Sequence, residues 1–301
     1  MTAMETGRII KALSGFYYCR TEEGTYQCRG KGAFRKESVT PLVGDWVRFE
    51  AGEGEPDESG FLPGGFVTEI LQRKNQFVRP PVANLDQLCL VSAVAEPAPS
   101  PLLLDKLIAV CEYKQVEPLL VFTKTDLGSP EELRRIYTAA GFRVFCLTDR
   151  GAEDLEPLRA CLRGRITAFA GNTGVGKSSL LNRLEPNLSL QTAGISRKLG
   201  RGKHTTRHVE LYPVLGGYVA DTPGFGSMEL LQYERIRKEE LQHCFREFAP
   251  YLADCRFTGC SHTVEKGCAV LEALEKGRIS PTRHESYLAL YEDSKQLKDW
   301  E

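Results

Sequence analysis

The sequence predicts an α/β protein in three parts: a small β-barrel, a parallel-sheet α/β domain and a helical, metal-binding tail. Three observations carry this. Strand-and-turn patterning fills the first part, at residues 1–72. Apolar strands then alternate with helices around a glycine-rich loop at 171–178. Three cysteines and one histidine finally cluster between residues 255 and 268. A chain of 301 residues allows two domains, or three small ones, at about 150 residues each.

Composition narrows the classes. Hydrophobic residues at 42% and charged residues at 26% suffice for a buried core. Lys+Arg of 39 against Asp+Glu of 40 leaves a net charge of −1, so nucleic-acid binding has to come from local clustering. The longest strongly apolar stretch, Leu88 to Ala95, is too short to span a bilayer. The N-terminal stretch Met4 to Gly15 lacks the apolar core and small-residue cleavage site of a secretory signal. The expectation is a cytoplasmic monomer without membrane contact, whose cysteines are reduced thiols or metal ligands.

In the first part, Phe16-Tyr17-Tyr18, Trp46-Val47-Arg48-Phe49 and Phe66-Val67-Thr68-Glu69-Ile70 read as strands separated by glycine breaks. Arg29-Gly30-Lys31-Gly32-Ala33-Phe34-Arg35-Lys36 sets cations around one aromatic, a loop able to grip phosphates and stack on a base; a solvated hairpin is the alternative. Arg73-Lys74-Asn75 and Arg79-Pro80-Pro81 read as a linker.

From Leu88 the pattern becomes α/β. Leu88–Val94 is a continuous apolar run suited to a strand buried on both faces. A helix over 102–113, a strand over 119–122, and a helix opened by Ser129 as N-cap with Pro130 at N1 and stopped by Gly141 come next. Strands follow over 142–147 and 165–170, and a mostly parallel sheet results. After Gly224 a helix is expected over 229–251, and a last one from Ser280-Pro281. On that last helix and its approach, Arg278, Arg283 and His284 read as solvated residues, with RNA contact as the alternative.

Gly171-Asn172-Thr173-Gly174-Val175-Gly176-Lys177-Ser178 matches the phosphate-loop pattern in full, behind a strand and ahead of the helical Ser179-Leu180-Leu181-Asn182. The glycines let amides curl around a phosphate, and the helix N-terminus adds partial positive charge. Lys177 then reaches the β- and γ-phosphates, and Ser178 ligates Mg²⁺. Asp221-Thr222-Pro223-Gly224, ending the apolar stretch Gly217 to Ala220, suits a magnesium-holding aspartate followed by a glycine amide facing the γ-phosphate.

Thr123-Lys124-Thr125-Asp126 follows a buried strand and resembles the N-K-x-D motif of GTPases. The Asp126 carboxylate accepts two N–H donors that guanine presents and adenine lacks, and the Lys124 stem lies across the purine face. Thr123 departs from the usual Asn. The motif precedes the phosphate loop, whereas an ordinary GTPase has it after, and nothing beyond Asp221 replaces it. A circular permutation explains the order. Thr148-Asp149 occupies the place of the second base-contacting loop, with a poor match.

Cys255, Cys260, His262 and Cys268 offer three thiolates and one imidazole, which suits a closed, structural, tetrahedral Zn²⁺. Gly259 and Gly267 supply tight turns beside the ligands. The remaining seven cysteines read as small core or surface residues.

The permuted order, the β-rich start and the Cys/His tail together resemble the ribosome small-subunit-dependent GTPase A family (RsgA, YjeQ) over nearly the whole chain. Pro41-Leu42-Val43-Gly44-Asp45-Trp46-Val47, the run Arg79-Pro80-Pro81-Val82-Ala83-Asn84-Leu85-Asp86-Gln87, and Gly202-Lys203-His204-Thr205-Thr206-Arg207 carry the resemblance. It implies an OB-fold at 1–72, a permuted GTPase domain at 73–227 and a helical zinc domain at 228–301. It also implies GTP hydrolysis in late maturation of the bacterial small ribosomal subunit, with that subunit and its rRNA as partners. Hydrolysis needs a group that positions water. The position following D-x-x-G is Phe225, which cannot, so the resemblance points to His204, with its neighbours Thr205 or Thr206, Thr206 preferred, supplying a magnesium-sensing hydroxyl. The rival readings are an RNA-binding protein whose nucleotide domain gates binding with negligible turnover, and a free-standing metabolic P-loop enzyme.

Overall fold

A computed structural model describes residues 3–32, 34, 39–148, 155–185, 209–221, 231 and 233–296. The barrel comprises β1 (Ala3–Leu13), β2 (Phe16–Arg20), β3 (Thr25–Gly30), β4 (Trp46–Ala51) and β5 (Leu62–Ile70). These pair in the order β1-β2-β3-β5-β4 and close through β1 against β4, with β3 and β5 parallel and the other pairs antiparallel. Closure leaves no open edge, as in an OB-type barrel. Side chains alternate along β4: Val47, Phe49 and Ala51 point into the core, while Trp46 and Arg48 face out. Ile9, Cys19, Cys28 and Val67 complete that core.

The segment read as a linker is packed structure. It folds as a short hairpin, β6 (Gln76–Phe77) against β7 (Val82–Ala83). Arg73 forks onto the fully buried Asp45, with Nε–Oδ1 at 2.8 Å and Nη2–Oδ2 at 2.7 Å. Gly44 is obligatory: its φ is +95°, and a Cβ there would lie 2.0 Å from the Ala83 carbonyl oxygen.

Downstream come β8 (Gln87–Ala93), α1 (Pro101–Tyr113), β9 (Glu117–Thr123), α2 (Glu131–Ala139), β10 (Arg143–Cys146), α3 (Glu156–Leu162), β11 (Ile166–Ala170), α4 (Lys177–Leu184), β12 (Glu210–Val214) and β13 (Gly217–Asp221). The tail adds α5 (Lys238–Leu241), 3₁₀ segments at Gln242–Cys244 and Arg246–Asp254, α6 (Ala269–Glu275) and α7 (Pro281–Lys295).

These elements form two compact units. The first holds Met1–Asp86, Leu162–Ala168 and Thr192–Phe225. In it β11 runs parallel to β13, and β12 returns antiparallel to β13. Strand β1 reaches β12 through Lys11 opposite Glu210, an ion pair at 3.1 Å. Asp86 grips the start of β11 twice, its amide donating to the Ile166 carbonyl at 3.0 Å and its carboxylate accepting the Ile166 amide at 2.6 Å.

The second unit holds Gln87–Cys161, Phe169–Gln191 and Gly226–Glu301. Its strands β8, β9 and β10 are parallel, and β8 and β9 are buried almost throughout, which explains their continuous apolar runs. Helix α2 starts at Glu131, one residue later than expected, because the Ser129 hydroxyl accepts the Glu131 amide at 3.3 Å and leaves Pro130 at the cap. Gly141 ends it with φ +90°.

Two expectations for the tail are corrected. Among the described residues the helix expected over 229–251 is broken. Phe245 is extended (φ −117°, ψ 97°), and Pro250 sits within the second 3₁₀ segment. The break turns Phe245 and Phe248 inward, with ring centroids 5.2 and 4.9 Å from Tyr287. Residues three apart share one side of a 3₁₀ turn, so this conformation buries both rings together. Arg283 and His284 are buried as well. Arg283 donates to Asp105 of α1 and to Glu247, each at 2.6 Å, with its guanidinium 4.5 Å from the Phe245 ring centroid. Arg278 is exposed.

All ten cysteines are free thiols, and five of the seven outside the metal cluster are buried. No helix among the described residues is long and apolar enough to cross a membrane.

Candidate nucleotide site and metal centre

The phosphate loop turns out of β11 and into α4. Gly171 has φ +151°, and a Cβ on it would come within 2.2 Å of the Val91 carbonyl oxygen; Gly176, at φ +91°, caps α4 in the left-handed region. A side chain at 171 would therefore push the loop off β8. Asn172, Thr173 and Gly174 form the turn, and Val175 packs beneath it, buried. Lys177, the first residue of α4, folds back so that its Nζ donates to the carbonyls of Gly171 and Asn172, both at 2.6 Å. Burial lowers its pKa, because the ammonium is partly removed from water. Ser178 and Ser179 follow in the first turn of α4.

The base motif lies against this loop. Thr123 ends β9, is buried, and donates its hydroxyl hydrogen to the Val175 carbonyl at 2.6 Å. A Cβ on Gly176 would lie 3.7 Å from the same hydroxyl. Lys124 takes φ +56° and directs its ammonium onto the Glu96 carbonyl. Thr125 and Asp126 continue the turn: the Thr125 amide reaches the Leu147 carbonyl at 3.4 Å, and Asp126 is exposed. Sequence-distant 123–126 and 171–178 thus share one place. Thr148 lies nearby in the fold of this unit, its carbonyl accepting from Arg183 of α4 at 2.7 Å. In the first unit, Asp221 ends β13, just past the parallel register of Ala168 with Ala220. Asp149, His204, Thr205, Thr206, Gly224 and Phe225 lie outside the described residues, as do Ala33, Arg35 and Lys36 of the basic loop. Of that loop's described cations, Arg29 stacks 5.0 Å from the Phe16 ring centroid and Lys31 pairs with Glu50 at 3.3 Å.

The metal-ligand cluster is assembled as the spacing suggests. The ligand atoms of Cys255, Cys260, His262 and Cys268 all lie within 4.8 Å of one another. His262 Nδ1 is 3.6 Å from Cys255 Sγ and 3.3 Å from Cys268 Sγ, and those two sulfurs are 3.9 Å apart. Tetrahedral zinc with ordinary bond lengths has ligand–ligand edges of about 3.5 to 3.8 Å, so this donor set fits a zinc ion. Burial pushes the Cys268 thiol up to about 12, so a bound cation displaces a proton there; burial also lowers the His262 pKa, keeping the imidazole neutral and able to ligate.

Two supporting residues escaped the sequence reading. The Glu265 carboxylate accepts the amides of Ser261, Thr263 and Val264 at 2.9, 3.0 and 3.1 Å. Burial alone would raise its pKa, but the Ser261 hydroxyl and these amides outweigh burial and hold it at about 2. The Gln242 side-chain oxygen meets His262 Nε2 at 2.9 Å. Neither carries a spacing signal, because both act through loop closure.

The RsgA GTPase family model matches residues 70–231, and the RsgA N-terminal domain matches residues 6–57. Two curated relatives, each named small ribosomal subunit biogenesis GTPase RsgA, are similar over their full length. That of Halalkalibacterium halodurans is 47% identical over 298 residues, covering 97% of this chain and 98% of its own. That of Geobacillus thermodenitrificans is 47% identical over 302 residues, covering 98% and 99%. Among solved structures, YloQ, described as a circularly permuted GTPase, superposes with TM-score 0.80 at 35% identity over 98% of this chain and 96% of its own. YjeQ from Thermotoga maritima gives TM-score 0.79 at 32% identity over 98% and 100%. With the base motif seated ahead of the phosphate loop in sequence and against it in space, and with these matches spanning the chain, the protein belongs to the RsgA family of circularly permuted GTPases.

Proposed function

We propose that this protein hydrolyses GTP while bound to the small ribosomal subunit during its late maturation, with that subunit accelerating turnover. The observation that carries the reading is the Thr123–Val175 hydrogen bond, which joins a guanine-type motif to a phosphate loop that follows it in the chain. The names of the relatives supply the ribosomal context.

In this reading Asp126 accepts the two N–H groups of guanine, and the Lys124 stem covers the base. Amides of 171–176 would cradle the phosphates, Lys177 would turn from the loop carbonyls to the β- and γ-oxygens, and Ser178 and Thr206 would hold Mg²⁺, with the Asp221 carboxylate assisting. Mg²⁺ supplies charge neutralisation on the transferred phosphoryl group. His204 orients the attacking water, and the Gly224 amide faces the γ-phosphate. One structural Zn²⁺ sits in the Cys255, Cys260, His262 and Cys268 cluster. Functionally the chain divides into an rRNA-binding barrel at 1–72, the GTPase domain at 73–227 and the zinc domain at 228–301, acting as a monomer in the cytoplasm.

The test is GTP turnover with and without purified small subunits. Stimulation by the subunit supports the proposal. Tight binding with negligible turnover makes the protein a nucleotide-gated RNA clamp instead, and turnover indifferent to the subunit makes it a free-standing enzyme.

A further inference from the structure

His262 is held from every side. Its ring is almost fully buried, with Nδ1 facing the cysteine sulfurs. Its backbone carbonyl accepts from His284 Nε2 at 2.8 Å, and the Phe248 ring meets it edge-on at 6.0 Å. Nε2 points away from the cluster, to Gln242 Oε1 at 2.9 Å. The orientation of the Gln242 amide is settled by its other end, where the nitrogen donates to the Glu239 carbonyl at 3.2 Å. The oxygen is therefore the atom presented to the imidazole.

We propose that Gln242 is a positioning residue for the metal centre, fixing His262 as the tautomer that carries its hydrogen on Nε2 and offers Nδ1 to zinc. A neutral imidazole has one donor and one acceptor nitrogen, and the hydrogen bond made by one decides the role of the other. An acceptor on Nε2–H also makes Nδ1 a stronger ligand, and loss of such an outer partner costs about 10- to 100-fold in metal affinity. Gln242 lies upstream of all four ligands, in the 3₁₀ turn that follows α5, so it ties the metal loop to a separate element of the same unit. The inference rests on the zinc reading of the four-ligand cluster.

The experiment uses the full chain and zinc alone as probe. Zinc affinity is measured by competition with a chromogenic chelator, and ¹⁵N-histidine spectra of the zinc-loaded protein report which His262 nitrogen carries hydrogen. Gln242→Leu keeps the bulk without the acceptor and is expected to bind zinc about 10- to 100-fold more weakly. Gln242→Glu keeps an acceptor and is expected to stay close to wild type. Gln242→Lys sets a donor against a donor and is expected to fall at least as far as the leucine variant. Wild-type spectra are expected to show hydrogen on Nε2. The proposal is overturned if the leucine variant binds zinc as tightly as wild type, if the glutamate variant loses as much as the leucine variant, or if zinc sits on Nε2. A wild-type protein that takes up no zinc would instead remove the zinc reading itself.

Discussion

At position 123 a threonine stands where the GTPase motif has asparagine, and its hydroxyl performs a backbone-tethering task with a single hydrogen, given to the Val175 carbonyl at 2.6 Å. Removing that hydroxyl while keeping the shape leaves a buried carbonyl without its partner, at a cost of about 1 to 3 kcal/mol. Thr123→Val should therefore weaken GTP binding by about tenfold in equilibrium titration, and Thr123→Asn should restore it. Asp126 is exposed and ready to meet a base from solvent. In the proposed role Asp126 accepts two guanine N–H groups, and losing two such charge-assisted hydrogen bonds costs about 3 kcal/mol, so Asp126→Asn should weaken GTP by about 100-fold. The same variant should favour xanthosine nucleotides, whose base offers an acceptor where guanine has a donor; unchanged GTP affinity would take Asp126 out of the site.

Helix α7 shows what a single element can hide from a sequence reading. It carries polar residues all round, yet Arg283, His284, Tyr287 and Ser294 are buried. Arg283 lies between Asp105 and Glu247, under the rings of Phe142 and Phe245. Burial raises the Asp105 carboxyl, and the attraction of Arg283 opposes that rise. Such a group is costly to break one partner at a time. Arg283→Met should lower unfolding stability by about 3 to 5 kcal/mol, read as a lower urea midpoint, because two buried carboxylates lose their counter-charge. The triple replacement Asp105→Leu, Glu247→Leu, Arg283→Met should recover most of that loss. A single variant as stable as wild type would show that the cluster is already neutral.

At the scale of the whole molecule, the phosphate loop and the metal cluster fall in the same compact unit, and among the described residues no side chain is seen to contact both. The contacts that shape the loop come from β8, β9, β11 and α4. Cys260→Ser should therefore abolish zinc content by metal analysis and weaken small-subunit binding, while GTP titration stays near wild type. The catalytic proposal separates in the opposite sense. His204→Ala should remove the acceleration by the small subunit while GTP affinity and subunit docking persist; full stimulation in that variant would assign water positioning elsewhere.

The sequence by itself determined the features that local chemistry dictates. The G-x-x-x-x-G-K-S loop, the strands β8, β9 and β11, the barrel strand β4 and the Cys/His spacing were legible because each depends on residue types at short, fixed intervals. The order of the base motif and phosphate loop likewise showed the permutation without any coordinates. Only the tertiary structure decided the rest. The segment at 73–81 reads as a proline-bearing linker, and becomes packed structure because Asp45 buries its charge against Arg73 and β6 pairs with β7. Arg283 reads as a solvated cation, and becomes a core residue because α1 and the 3₁₀ segment bring carboxylates to it from far along the chain. Gln242 and Glu265 carry no motif, since their roles exist only once the metal loop has closed. Periodicity and spacing report what a residue does among its neighbours in sequence, whereas a buried charge or a supporting hydrogen bond is defined by partners that folding alone brings near.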